Sequence, residues 1–239
     1  GADSKTLERV YGKLLESYKN EPRSAELEKL QNQILAKGIE PFTTQIMIDR
    51  AKALLDSGKS TAAFDLAMKA NGRNVAPEIR AEARLIQARI LEKELVSQSV
   101  KAREEKFALV LAMKTEKLDK AHTAYYTTLK MSKDPFQQLE AMRGIDRCYA
   151  NFIDSLTTMP LPASLSPQDQ EALRAEIAKL TTPIQDKKNE NEVKLKVLAA
   201  SKGQTSSSER SFASIRVDQT VPPQVQYPAP DKMAVFLPD

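Results

Sequence analysis

Apolar residues recur at three- and four-residue intervals along most of this chain, the period of an α-helix that buries one face. Leu7, Val10, Tyr11, Leu14, Leu15 and Tyr18 follow Ser4, a residue type that caps helix starts, and the pattern stops before Pro22. A first helix is predicted there. Leu27, Leu30, Ile34 and Leu35 repeat the spacing after Ser24 and end at Gly38, which suits the left-handed position that closes a helix. This second helix pairs with the first as a hairpin. A second pair is predicted over residues 42–57 and 60–71, divided at Gly58 and closed by the Asn71-Gly72 turn.

No Gly or Pro occurs between Pro77 and Pro135, and Ile90, Leu91, Leu95, Phe107, Val110, Leu111, Leu118, Ala121, Tyr125 and Leu129 keep an apolar stripe through that interval. Unbroken, such a helix would reach roughly 80 Å at 1.5 Å per residue. A break near Ser97 to Ser99 is expected, giving two antiparallel helices, although one long spine over 78–132 also satisfies the pattern. Asp134-Pro135 then opens a helix carrying Leu139, Met142, Ile145, Cys148, Tyr149, Phe152 and Leu156, a face wide enough to be buried on two sides. Ser166-Pro167-Gln168-Asp169 places a capping serine before a proline, with an acid in the first turn. That helix is predicted to run to about Leu180, and Thr182-Pro183 to begin a last one with Ile184, Asn191, Leu195 and Leu198 on one face. From Gly203 the composition changes to a serine run and the prolines Pro222, Pro223, Pro228, Pro230 and Pro238. The division is therefore a helical domain over 1–202 and a Ser/Pro-rich tail over 203–239, expected as an extended arm along the helical body.

The second pair carries a further pattern. Met47, Ala51 and Leu54 share a face of its first helix, while Ala63, Ala67 and Ala70 are small residues on its second that let two backbones approach. This resembles the tetratricopeptide repeat, with departures: Ala51 and Leu54 replace the consensus Gly and Tyr, and the terminal proline is displaced to Pro77. Ile79, Ala83 and Ile86 repeat the spacing of Met47, Ala51 and Leu54 after about one repeat length. The segment from Val100-Lys101-Ala102-Arg103 through Leu109 to Leu118, followed by Tyr149 to Pro162, is similar to helical repeat regions of large tetratricopeptide-containing surface or periplasmic proteins of predatory and gliding bacteria. The resemblance covers roughly residues 40 to 200. It implies an all-α fold of antiparallel helical-hairpin repeats, an α-solenoid with one or two long helices. It also implies a non-enzymatic scaffold of the periplasm or cell envelope, cut from the C-terminal end of a longer chain. A cytoplasmic location is the alternative.

Composition narrows the chemistry. With 41% hydrophobic residues, only 5% aromatic and no Trp, the core is filled mainly by aliphatic side chains and alanine, which suits helix packing. A net charge of +4 is spread among interleaved Lys, Arg, Asp and Glu, a solvated surface with no motif for DNA or RNA. No apolar run reaches the length of a membrane span. Cys148 is the single cysteine and lies among apolar neighbours, so buried packing is expected, and His122 is the single histidine. No phosphate loop, paired-cysteine metal motif or His-Glu-x-x-His helix is present, and Glu104-Glu105 and Glu190/Glu192 read as surface carboxylates. Neither catalysis nor a cofactor or metal is expected.

Stacked helix pairs curve and leave a concave surface along successive first helices. Aligning the pairs on Met47 and Ile79 puts Gln45, Lys52, Arg80, Arg84 and Gln87 on that face, and an alignment on Met142 and Tyr149 adds Arg143 and Arg147. Cationic and amide groups so placed suit a protein or peptide partner presenting an acidic stretch or a terminal carboxylate. The same side chains also suit an ordinary charged surface. Of Tyr125 and Tyr126 only one can face the core, leaving the other as a candidate anchor. Two other readings stand: a spacer or dimerisation module built on 78–132, and a tail that is itself the ligand.

Overall fold

The computed structural model describes residues 4–19, 25–101, 104–161 and 165–204. Among them are eight helices and no strand: α1 (Ser4–Lys19), α2 (Ala25–Lys37), α3 (Phe42–Asp56), α4 (Ser60–Asn71), α5 (Pro77–Ser97), α6 (Glu104–Met131), α7 (Pro135–Thr157) and α8 (Pro167–Gln204). The proposed arm beyond Gln204 and the cap Ser24 lie outside the described residues. Two compact units divide the chain, residues 1–90 and 91–239, with the boundary inside α5.

In the first unit, α2 and α3 end by the same device. Gly38 takes a φ of +65° while the Ile39 N–H donates to the Ile34 carbonyl at 3.3 Å, and Gly58 takes +79° while the Lys59 N–H donates to the Leu54 carbonyl at 2.9 Å. Each glycine supplies the left-handed residue that satisfies the last carbonyls of its helix. A Cβ on Gly58 would meet nothing within 4 Å, so Gly58→Ala isolates the backbone term. We expect it to lower unfolding stability by about 1 kcal/mol, the cost of a left-handed residue that bears a side chain, read as a reduced urea midpoint at unchanged slope. Two apolar clusters hold this unit. Tyr11, Leu30, Ile34 and Ile46 join α1, α2 and α3. Ile48, Ala51, Leu55, Ala63, Ala67, Ala70, Ala83, Ile86 and Ile90 join α3, α4 and the first turns of α5. Ala63, Ala67 and Ala70 of α4 are fully buried, which places its backbone against its neighbours.

In the second unit α7 packs against both α6 and α8. Its start follows the sequence: Asp134 is extended, its carboxylate accepts the Phe136 N–H at 3.0 Å, and Pro135 takes the first helical position. The start of α8 does too, with the Ser166 hydroxyl accepting the Asp169 N–H at 3.2 Å and donating to the Asp169 carboxylate at 2.6 Å. The expected break near Ser97 is present, and α5 and α6 are separate helices. The boundary expected at Thr182-Pro183 is absent. Helix α8 continues through Pro183 because Ile177, Thr181, Ile184, Asn191 and Leu198 form one buried stripe on both sides of it. The proline and Lys179, whose carbonyl loses its helical partner, are both solvent-exposed, so water can serve that carbonyl. The Thr181 and Thr182 hydroxyls donate to the Ile177 and Ala178 carbonyls at 2.9 and 2.7 Å. Burial outweighs the local preference here.

Candidate functional site

The seven residues expected on one open face meet different fates. Gln45, Lys52, Arg80, Arg84 and Gln87 belong to the first unit, Arg143 and Arg147 to the second. Gln45 bonds Asp49 one turn away at 3.3 Å, and Lys52 pairs with Glu82. The Arg80 guanidinium donates to the Asn71 carbonyl at 3.0 Å, closing the end of α4. Gln87 is buried rather than on an open face, and accepts from Arg84 at 2.7 Å. Its position reflects α5 itself: Ala81, Ala83, Leu85, Ile86, Gln87, Ala88 and Ile90 are all buried, so this stretch presents no broad polar face. Arg84 is half-buried, and burial holds its guanidinium below the usual pKa. Lys52 and Arg80 thus link α5 to α3 and α4, while the Gln45 and Arg84–Gln87 bonds stay within one helix.

Arg147 is likewise committed. It makes a two-pronged pair with Glu92 at 2.6 and 3.0 Å, and the Tyr125 hydroxyl donates to the same carboxylate. One acid on α5 thereby joins α6 and α7. Tyr125 is wholly buried, and burial followed by the Glu92 carboxylate pushes its hydroxyl pKa upward. Beside it Cys148 is buried, and burial followed by Glu92 raises its thiol above the ordinary range, a poor setting for a nucleophile.

Tyr126, the candidate anchor, is half-buried rather than projecting, because it stacks on His122 at 5.9 Å while His122 also stacks on Tyr149 at 5.6 Å. Burial, then the charge of Lys187, pulls His122 down to about 4. The ring is neutral near pH 7 and serves packing.

The sequence pattern missed one buried charge. Lys114 is 1% exposed, with its ammonium donating to the Leu95 and Gln98 carbonyls at 2.7 and 3.1 Å and to the Asn151 side-chain oxygen at 2.8 Å. The signal was available: Leu111, Lys114, Leu118, Ala121 and Tyr125 are spaced as one stripe, so a lysine stands where an apolar residue belongs.

Arg143 differs from all of these. It is exposed and lines a shallow concavity of about 270 Å³ between α7 and α8, together with Asp146, Arg147, Glu192, Leu195 and Lys196. Within that concavity Arg147 is held by Glu92, while Asp146 and Glu192 both face Lys188. Lys196 adds its charge to that of Lys188 on Glu192 one turn away, whereas Arg143 has no ion-pair partner among the described residues. Val193 and Val197, 61% and 53% exposed one turn apart, continue the surface along α8.

Among the described residues no cluster of His, Cys, Asp and Glu is placed to hold a metal ion, and no helix is long and apolar enough to cross a membrane. No protein-family model matches this chain, and comparison with curated proteins and with solved structures finds no match.

Proposed function

We propose that this protein is a non-enzymatic interaction module of helical hairpins, related in plan to tetratricopeptide repeats, that holds an acidic segment of a partner protein. The observation that carries this reading is the concavity between α7 and α8, where Lys188 and Lys196 together offset Asp146 and Glu192, Arg147 is held by Glu92, and Arg143 is the surplus cation. Exposed Val193 and Val197 beside it suit a segment that mixes acidic and apolar residues. Similarity to envelope repeat proteins motivates a periplasmic or cell-envelope setting, with the cytoplasm as the alternative.

Charge reversal of both cations, Arg143→Glu with Lys196→Glu, tests the reading. A fluorescein-labelled peptide of alternating glutamate and leucine serves as probe in anisotropy titrations at low and physiological salt. The native chain is expected to bind with an affinity that falls as salt rises, and the double variant at least tenfold more weakly. Equal affinity for the two chains would remove the site.

A further inference from the structure

A second concavity lies at the other half of α8. It measures about 480 Å³, within the range of roughly 300–1,000 Å³ typical of small-ligand clefts. The buried side chains of Leu156 and Ile177 line it, with Met159, Pro160 and Leu161 of the α7–α8 connection as further apolar lining.

The polar groups at its edge sort cleanly. The Thr157 hydroxyl donates to the Ile153 carbonyl at 2.9 Å, the Thr181 hydroxyl to the Ile177 carbonyl at 2.9 Å, and the Gln170 amide to the Leu165 carbonyl at 3.1 Å. All three are committed to the fold. Arg174 is the exception: it is exposed, lines the same cleft, and has no hydrogen-bond or ion-pair partner among the described residues. A guanidinium fork beside a cleft of mixed lining, with apolar side chains at its floor and hydroxyl and amide groups at its rim, selects a ligand with one anionic end and a hydrocarbon body.

We propose that this cleft binds a small amphipathic carboxylate, its chain against Leu156, Met159 and Ile177 and its carboxylate on Arg174. The site is separate from Arg143 and Lys196, so it stands or falls independently of the acidic-partner reading.

Decanoate, kept below its micelle concentration, is the probe, with 1-decanol as its uncharged counterpart, followed through the methyl resonances of Leu156, Met159 and Ile177 in the full chain. Decanoate is expected to shift those methyls saturably, and Arg174→Gln to weaken its binding about tenfold while leaving decanol unaffected. Ala178→Trp, a change at an exposed position lining the cleft, is expected to abolish the shifts without altering the urea midpoint. Absence of saturable shifts, or equal decanoate affinity in the native and Arg174→Gln chains, would overturn the proposal.

Discussion

Gly144→Ala is expected to destabilise the second unit by about 3 kcal/mol, although alanine is the better helix former by roughly 1 kcal/mol. Gly144 faces Tyr125 from the adjoining helix, and an added Cβ would lie under 3.0 Å from three carbons of the phenol ring. The ring cannot simply turn aside. Tyr125 is fully buried and its hydroxyl is bound to Glu92, whose other contacts are the two prongs from Arg147. Moving the ring disturbs that charge-assisted network together with the packing. Trimming the neighbour should relieve the clash, so Tyr125→Leu is expected to cost less in the Gly144→Ala background than in the native chain. The coupling in a double-mutant cycle, measured by urea unfolding, is the test. Additive costs would mean that the close approach of α6 and α7 is not what requires glycine.

That glycine shows where reasoning from sequence stops. Periodicity located the helices well, because most bury one stripe and their ends are written in short-range chemistry: Gly38, Asp134-Pro135 and Ser166-Pro167 form the helix ends expected of them, and Gly58, expected only as a divider, closes α3. At Pro183 local chemistry misled, since a stripe buried on both sides carries the helix through an exposed proline. The predicted face of seven polar residues fared differently from the helices. A polar residue has the same letter whether it is solvated or bound within the fold, and only three-dimensional contacts reveal that Arg80 closes α4, Gln87 is buried and Arg147 is occupied by Glu92. Gly144 has no turn to make and a Cβ-free approach as its reason, a fact about helix-to-helix distance that no local pattern encodes.

Lys114 supplies the second large effect, and its pH dependence can be signed. Its three ammonium donors are fully used, two by carbonyls at the end of α5 and one by Asn151 of α7, with no carboxylate among the acceptors. These carbonyls lie at the C-terminal end of α5, where its dipole favours a cation. Lys114→Met keeps the apolar stem but leaves the Gln98 carbonyl and the Asn151 side-chain oxygen without their ammonium donor, the Leu95 carbonyl keeping the Gln98 N–H, and should cost about 3 kcal/mol at pH 7. Burial first, and then the charge of Lys117, pulls the Lys114 pKa down to about 8, whereas an unfolded lysine titrates near 10.4. Below pH 8 both states hold the proton and the cost of burying the charge is fully present. Between about 8 and 10.4 the unfolded chain holds more protons, so this group's contribution to stability rises with pH through that window. The native chain should therefore gain on Lys114→Met between pH 7 and pH 9.5 in paired urea unfolding series. Groups that titrate alike in both chains cancel in that difference. A gap that stays constant over that window instead would show that the three acceptors offset burial and hold the ammonium charged, making the lysine a fixed cationic clamp on α5 rather than a strained one.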